Sequence, residues 1–283
     1  VRIAITGAHG QLGAALCAAL APAHEIIPLG HDRLELSSPT AIEQLVATGA
    51  DLVIHAGAYT NVDGCARDPD LAYRVNALGT KYVALACRRL DAPLVYISTN
   101  EVFAGDEGRA YYEYDLARPV NAYGRSKLAG ELAARALLHQ LYIVRVAWLF
   151  GGERNFVRTV LRLADSPPAG GLRMVDDEVG SPTYAPDVAE AIAPLIASEQ
   201  FGTYHFVNSA ACSRHAFAAE ILRLAGRAAT PLAAIKLADF QRDSTPPPHT
   251  PLVNLAGANL GISFRPWQDA LAAYLGALGR LAP

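Results

Sequence analysis

The sequence predicts an α/β fold: a doubly wound parallel sheet carrying a smaller C-terminal lobe. Three observations predict it. Short apolar, β-branched runs alternate with helical stretches from residue 1 to about 150, as a parallel sheet with crossover helices requires. The first run leads straight into a glycine-rich turn that opens a helix, Gly7-Ala8-His9-Gly10-Gln11-Leu12-Gly13. Beyond Gly151-Gly152 the alternation gives way to short elements interrupted by Pro and Gly. At 283 residues, 52% apolar and 18% charged, the chain is long enough for a sizeable core and has a globular composition.

Val1-Arg2-Ile3-Ala4-Ile5-Thr6 reads as a buried parallel strand. Gly7, Gly10 and Gly13 follow at a spacing of three and three. Such a turn lets backbone approach a pyrophosphate, and the helix behind it offers N–H donors and the positive end of its dipole. A glycine triplet also serves as a plain tight turn, but its place between a strand and a helix suits a dinucleotide site. Glu25–Leu29 is the second strand. An NAD-selective site places an acid at that tip, against the ribose hydroxyls. Here Gly30-His31-Asp32-Arg33 stand there, so His31 and Arg33 slightly favour the 2′-phosphate of NADPH over NADH, with Asp32 able to turn inward. Glu35 and Leu36 are placed to flank the adenine.

Residues 40–48 read as a helix and Asp51–His55 as the third strand. Ala58, Tyr59 and Thr60 close a stretch of mostly small residues along which a cofactor can lie. A helix is expected from Pro69 to Leu90 and a fourth strand over Pro93–Ser98. Ser98, Thr99, Asn100 and Glu101 then sit at a strand's carboxyl end, where open α/β sheets bind ligands. After a loop over 104–120 comes a helix holding Tyr123 and Lys127. Four residues apart, they share a face. With 12 tyrosines and three lysines, a chance pair at this spacing is expected only about 0.13 times. A phenol beside a buried cation loses its proton below its usual pKa of about 10 and can exchange it with a carbonyl. Leu141–Trp148 is the fifth strand.

Further on, helices are expected over 155–164, 186–198, 213–225 and 266–281, with strands at 172–175 and 201–207. Residues 1–150 are thus expected to form the nucleotide-binding domain, with 185–208 returning to it. Residues 151–184 and 209–283 would form the lobe over the sheet's edge, leaving a cleft between the two. A net charge of −3 gives no reason to expect nucleic acid or an anionic membrane as partner. No apolar run reaches the length of a membrane span. Cys17, Cys65, Cys87 and Cys212 lack metal-type clustering and suit a reducing compartment. With no signal-like leader, a cytoplasmic protein is expected.

The order and spacing of these motifs resemble the extended short-chain dehydrogenase/reductase superfamily. Gly10-Gln11-Leu12-Gly13, Ala58-Tyr59-Thr60-x-Val62-Asp63 and Val75-Asn76-Ala77 resemble the dTDP-4-dehydrorhamnose reductase family within it. So do Ser98-Thr99-x-x-Val102-Phe103, Tyr123-Gly124-x-x-Lys127-Leu128-x-Gly130-Glu131 and Arg145-x-x-Trp148-Leu149-Phe150. Asn155-Phe156 and Gly180-Ser181-Pro182-Thr183 extend the likeness into the smaller lobe. The resemblance implies a Rossmann-like fold and NAD(P)H-dependent reduction of the C4 keto group of a nucleotide-linked 4-keto-6-deoxy sugar. The first expectation is dTDP-4-dehydro-L-rhamnose. It further implies Tyr123 as proton donor, Lys127 on the nicotinamide ribose, and Thr99 hydrogen-bonded to the carbonyl. Gly10, Gln11 and Leu12 would cover the pyrophosphate, with Ala58, Tyr59 and Thr60 along the cofactor and Trp148 lining the sugar pocket.

Three departures stand out. Asn100-Glu101 replaces the family's Asp-Tyr, which is expected to touch the sugar. Pro247-Pro248-His249-Thr250 lacks the family's arginine. Ala15 stands where some members carry an acid, so no metal site is expected, and the chain is expected as a monomer or homodimer. Two other readings share the scaffold: a nucleotide-sugar epimerase or dehydratase, and a non-catalytic NADP-binding regulatory subunit like the β subunit of methionine adenosyltransferase.

Overall fold

The computed structural model describes residues 1–282. The alternating runs assemble into one six-stranded sheet built from β1 (Arg2–Thr6), β2 (Glu25–Leu29), β3 (Leu52–His55), β4 (Leu94–Thr99), β5 (Leu141–Val146) and a late strand, Gly202–His205. Its order is 202–205, β5, β4, β3, β1, β2, and every pairing is parallel. The winding reverses between β1 and β3, because β2 lies on one side of β1 and β3 on the other. A crevice opens at such a switch point. The glycine turn stands there.

The central strands are apolar on both faces. Ile3, Ile5, Ile54, Val95, Ile97 and Val144 point towards α1 (Gln11–Leu20) and a later helix, Ala185–Ser198. Their neighbours Ala4, Val53, Leu94, Tyr96, Leu141 and Ile143 point the other way, as the two-residue period of a strand dictates. That second face is covered by α2 (Ala41–Val46), the helical stretch ending in Gly79–Leu90, and the helix Ala122–Leu137.

Several elements differ from expectation. The helix expected over Pro69–Leu90 is three pieces: α-helical Pro69–Ala72, a π-helical turn Tyr73–Leu78, and α-helical Gly79–Leu90. β5 stops at Val146, because Trp148 adopts a left-handed φ of 42° that no strand continues through. The last helix is Trp267–Ala277, shorter than expected. A short strand, Leu232–Ile235, pairs with Leu172–Val175 where no strand was anticipated.

A separate apolar cluster gathers Phe150, Val157, Val160, Phe217, Ile221, Trp267 and Leu271. Ile262, with Leu260 and Phe264 against it, belongs instead to the sheet's own core. That portion of the chain therefore does not stay with the lobe elements around it. Among the described residues, no helix is long and apolar enough to cross a membrane.

Candidate active site

The helix Ala122–Leu137 begins at Asn121, whose side-chain oxygen accepts the Gly124 N–H at 2.8 Å. This cap satisfies one of the orphan donors of the first turn. Gly124, Lys127, Gly130, Glu131 and Ala134 form its buried stripe, so Lys127 is held on the sheet side. Tyr123 and Lys127 do share a face. Thr99, at the tip of β4, has its hydroxyl beside the Tyr123 phenol. The same hydroxyl accepts the Glu101 N–H at 3.2 Å.

The electrostatics differ from the expected lowering of the phenol. Burial first, and the Glu101 carboxyl second, push the Tyr123 phenol above its ordinary value, with the Thr99 hydroxyl opposing. The Lys127 ammonium donates to the Ile97 carbonyl at 2.8 Å and lies over the Tyr96 ring. Burial pulls Lys127 down to about 7, opposed by Glu131. The pair thus comprises a phenol held firmly protonated and an ammonium whose charge is marginal at neutral pH.

Lys127→Met is expected to raise stability near pH 7, with the gain shrinking as pH rises towards 10. Between a folded pKa of about 7 and the ordinary 10.5, the unfolded chain binds more protons. Wild-type stability therefore climbs with pH through that window, and the variant lacks the climb. Melting temperatures of both proteins across pH 7 to 10 check this; a constant offset would contradict it.

The cleft beside the glycine turn is lined by Thr6, Gly7, Leu29, Gly30, His31, Leu34, Leu36, Gly57, Ala58 and Val75. Gly7 has φ +67°, and a Cβ there would stand 2.6 Å from the Gly57 Cα, so only glycine lets the loops after β1 and β3 meet. Gly10 leads into α1, and no side chain caps that helix. Its first N–H groups, at Gln11, Leu12 and Gly13, have no intrahelical acceptor, and they suit a pyrophosphate at the switch point. The Gln11 side chain accepts the Gly152 N–H at 3.0 Å.

His31 and Arg33 are both exposed; His31 lines the cleft, and Arg33 donates to the Pro28 carbonyl. Glu35 turns onto Ser37, whose N–H and hydroxyl hold its carboxyl below the ordinary range. Leu36, not Glu35, therefore faces the cleft. Tyr59 is clamped by Asn76, which accepts its N–H at 2.8 Å and donates to its carbonyl at 3.0 Å. Thr60 is exposed. Asn76 also donates to Ser126, which bonds the Tyr123 carbonyl. This coupling of the Tyr59 loop to the helix Ala122–Leu137 was not anticipated from the sequence.

Asn100 donates its amide to Thr250 at 2.7 Å, and its side-chain oxygen accepts from the Thr99 hydroxyl at 3.4 Å. These bonds tie it to the Pro-rich loop. Glu101 accepts from Asn121 at 2.6 Å; burial raises its carboxyl pKa, that hydrogen bond opposing. Trp148 stacks with Arg214, whose guanidinium carbon is 3.5 Å from the ring centroid. Arg214 in turn binds the buried Glu178 at 3.0 Å. Arg214 and Glu178 carry no local motif, so nothing in the sequence signalled them.

Comparison with known proteins places this geometry. The family model described as the RmlD substrate binding domain matches residues 1–279. The chain is 36% identical to the spore coat polysaccharide biosynthesis protein SpsK of Bacillus subtilis, over 97% of this chain and 96% of that protein. It is likewise 36% identical to a dTDP-4-dehydrorhamnose reductase of Mycobacterium tuberculosis, over 98% of this chain and 93% of the other. A solved structure of dTDP-4-dehydrorhamnose reductase from Bacillus anthracis in complex with NADP superposes with a TM-score of 0.93 at 34% identity. The match covers 98% of this chain and 99% of that one.

Proposed function

The chain belongs to the RmlD substrate binding domain family, and from that premise we propose that it is an NAD(P)H-dependent reductase of a nucleotide-linked keto sugar. The substrate put forward is dTDP-4-dehydro-L-rhamnose, reduced at C4 to dTDP-L-rhamnose. One observation carries the reading: a half-buried phenol, held protonated, lies beside Thr99, the last residue of β4 in the switch-point sheet. Relatives named dTDP-4-dehydrorhamnose reductase support the substrate class. The NADP in a relative's structure supports the cofactor class.

In this reading Gly7, Gly10, Gln11, Leu12 and Gly13 hold the pyrophosphate, and Ala58 and Tyr59 run alongside. His31 slightly favours NADPH. Lys127 holds the nicotinamide ribose, and the nicotinamide supplies the hydride when bound. Thr99 orients the carbonyl, and Tyr123 donates the proton that the developing alkoxide takes up. A phenol whose pKa is pushed up by burial remains a proton donor throughout the neutral range. Trp148, backed by Arg214, forms the wall of the sugar pocket. Glu101 accepts from the sugar's hydroxyls.

The test follows nicotinamide absorbance with several dTDP-4-keto sugars, using NADPH and NADH. Turnover with at least one is expected, and none with any would overturn the substrate assignment. Glu101→Gln is expected to raise the sugar's KM about tenfold, the cost of one ill-matched buried polar contact. The affinity for NADPH should not move. An unchanged sugar KM would remove Glu101 from the pocket wall.

A further inference from the structure

Lys127 sits against a polar seam that the scheme above leaves without a role. Its ammonium is 4.2 Å from the centroid of the Tyr96 ring. The Tyr96 hydroxyl donates to the backbone carbonyl of Lys127 at 3.2 Å. The helix can run this close because residue 130 is glycine; a Cβ there would stand 2.6 Å from the Tyr96 oxygen. The Tyr96 ring also stacks with His55, centroids 5.6 Å apart and planes 25° from parallel.

His55 is pinned at both nitrogens. Nδ1 is 2.6 Å from the Thr6 hydroxyl and Nε2 is 3.2 Å from the Thr80 hydroxyl. The neighbours settle the direction. Thr80 donates to the Asn76 carbonyl at 2.6 Å, so it accepts from Nε2–H. Thr6 accepts the Gly57 N–H at 3.2 Å, and its own proton goes to Nδ1. The imidazole is neutral: burial, and then Lys127, pull it down to about 3. It therefore sets no competing cation against the ring.

Glu131, one turn along from Lys127, does not pair with it. Its oxygens are taken by Arg145 at 2.9 and 2.7 Å and by Ser98 at 2.6 Å. We propose that Tyr96, packed against His55, is the positioning residue for Lys127, a cation–π platform that favours its charged form and aims it where no carboxylate pairs with it. A desolvated cation over an aromatic face is stabilised in its charged form, which offsets part of what burial takes away. The proposal rests on the reading that Lys127 serves the reaction. The titratable groups facing the ammonium are Tyr96 from β4, His55 from β3, and Tyr123 and Glu131 from its own helix. Asn76, Thr80 and Ser126 add only neutral dipoles.

The chain has three lysines, Lys81, Lys127 and Lys236, so isotope-labelled lysine NMR on the full chain can follow each one through a pH titration. In Tyr96→Leu, Lys127 is expected to titrate about one pH unit lower than in wild type. The alkaline limb of kcat/KM should move down with it. Tyr96→Phe keeps the ring and is expected to titrate as wild type. Melting curves establish that each variant is folded, and Tyr96→Met replaces the leucine variant if that one is not.

An unmoved Lys127 titration in a folded Leu or Met variant overturns the platform. So does Tyr96→Phe shifting as far as Tyr96→Leu, which would assign the effect to the hydroxyl. Lys127→Met separates the two readings: wild-type turnover in that variant removes Lys127 from the reaction, while the NMR shift still decides the platform.

Discussion

Tyr123→Phe is expected to lower kcat by about 10²–10⁴-fold, the usual contribution of a positioned proton donor. The side chain is half-buried and its phenol lies beside the Thr99 hydroxyl. Phe fills nearly the same volume and loses only the hydroxyl and its proton. Affinity for NADPH and the melting temperature should therefore stay close to wild type, and the loss should appear in kcat more than in KM. Steady-state kinetics and a cofactor titration on the same preparation check this. A kcat within threefold of wild type would take the proton step away from Tyr123. The phenol's raised pKa has a further consequence. In a pH–rate profile, ionisation of Tyr123 is expected to leave the neutral range untouched, and the alkaline fall in activity is expected to follow Lys127.

The second large effect concerns stability. Glu131 on the catalytic helix and Arg145 on β5 form a buried pair, with side chains 1% and 5% exposed. Arg145 also lies 3.5 Å from the His205 Nε2 and faces the Phe103 ring. The pair ties the catalytic helix to three neighbouring strands: β4 through Ser98, β5, and 202–205 through His205. Arg145→Met would strand the Glu131 carboxylate in the interior, and a loss of about 3–5 kcal/mol is expected. Removing both charges together, as Glu131→Leu with Arg145→Met, should recover much of it, because no unpaired charge remains. Urea unfolding of the three proteins checks both statements. A loss below about 1 kcal/mol in the single variant would show that the carboxylate finds other partners or a proton without difficulty.

The fold was legible because its signals are local. Strand runs, the Gly7–Gly13 turn and the Tyr123–Lys127 spacing each depend on residues within a few positions of one another. Boundaries were less legible where one residue changes the backbone, as at Trp148 with its left-handed φ. The π-helical turn that presents Asn76 left no periodicity to read. On the sugar side, Asn100 and Glu101 are adjacent in sequence, yet the first is committed to Thr250 and the second to Asn121. Those partners lie 150 and 20 residues away, and no spacing rule reaches them.

By itself the sequence determined the α/β class, the glycine turn after the first strand, and which phenol and ammonium share a helix face, because hydrophobic period and helical geometry act over a few residues. Only the tertiary structure decided what those groups feel: a phenol raised by burial and Glu101, and an ammonium set on Tyr96 above a neutral His55. The physical reason is that desolvation and Coulomb interaction depend on distance in space, and folding sets that distance without regard to separation along the chain.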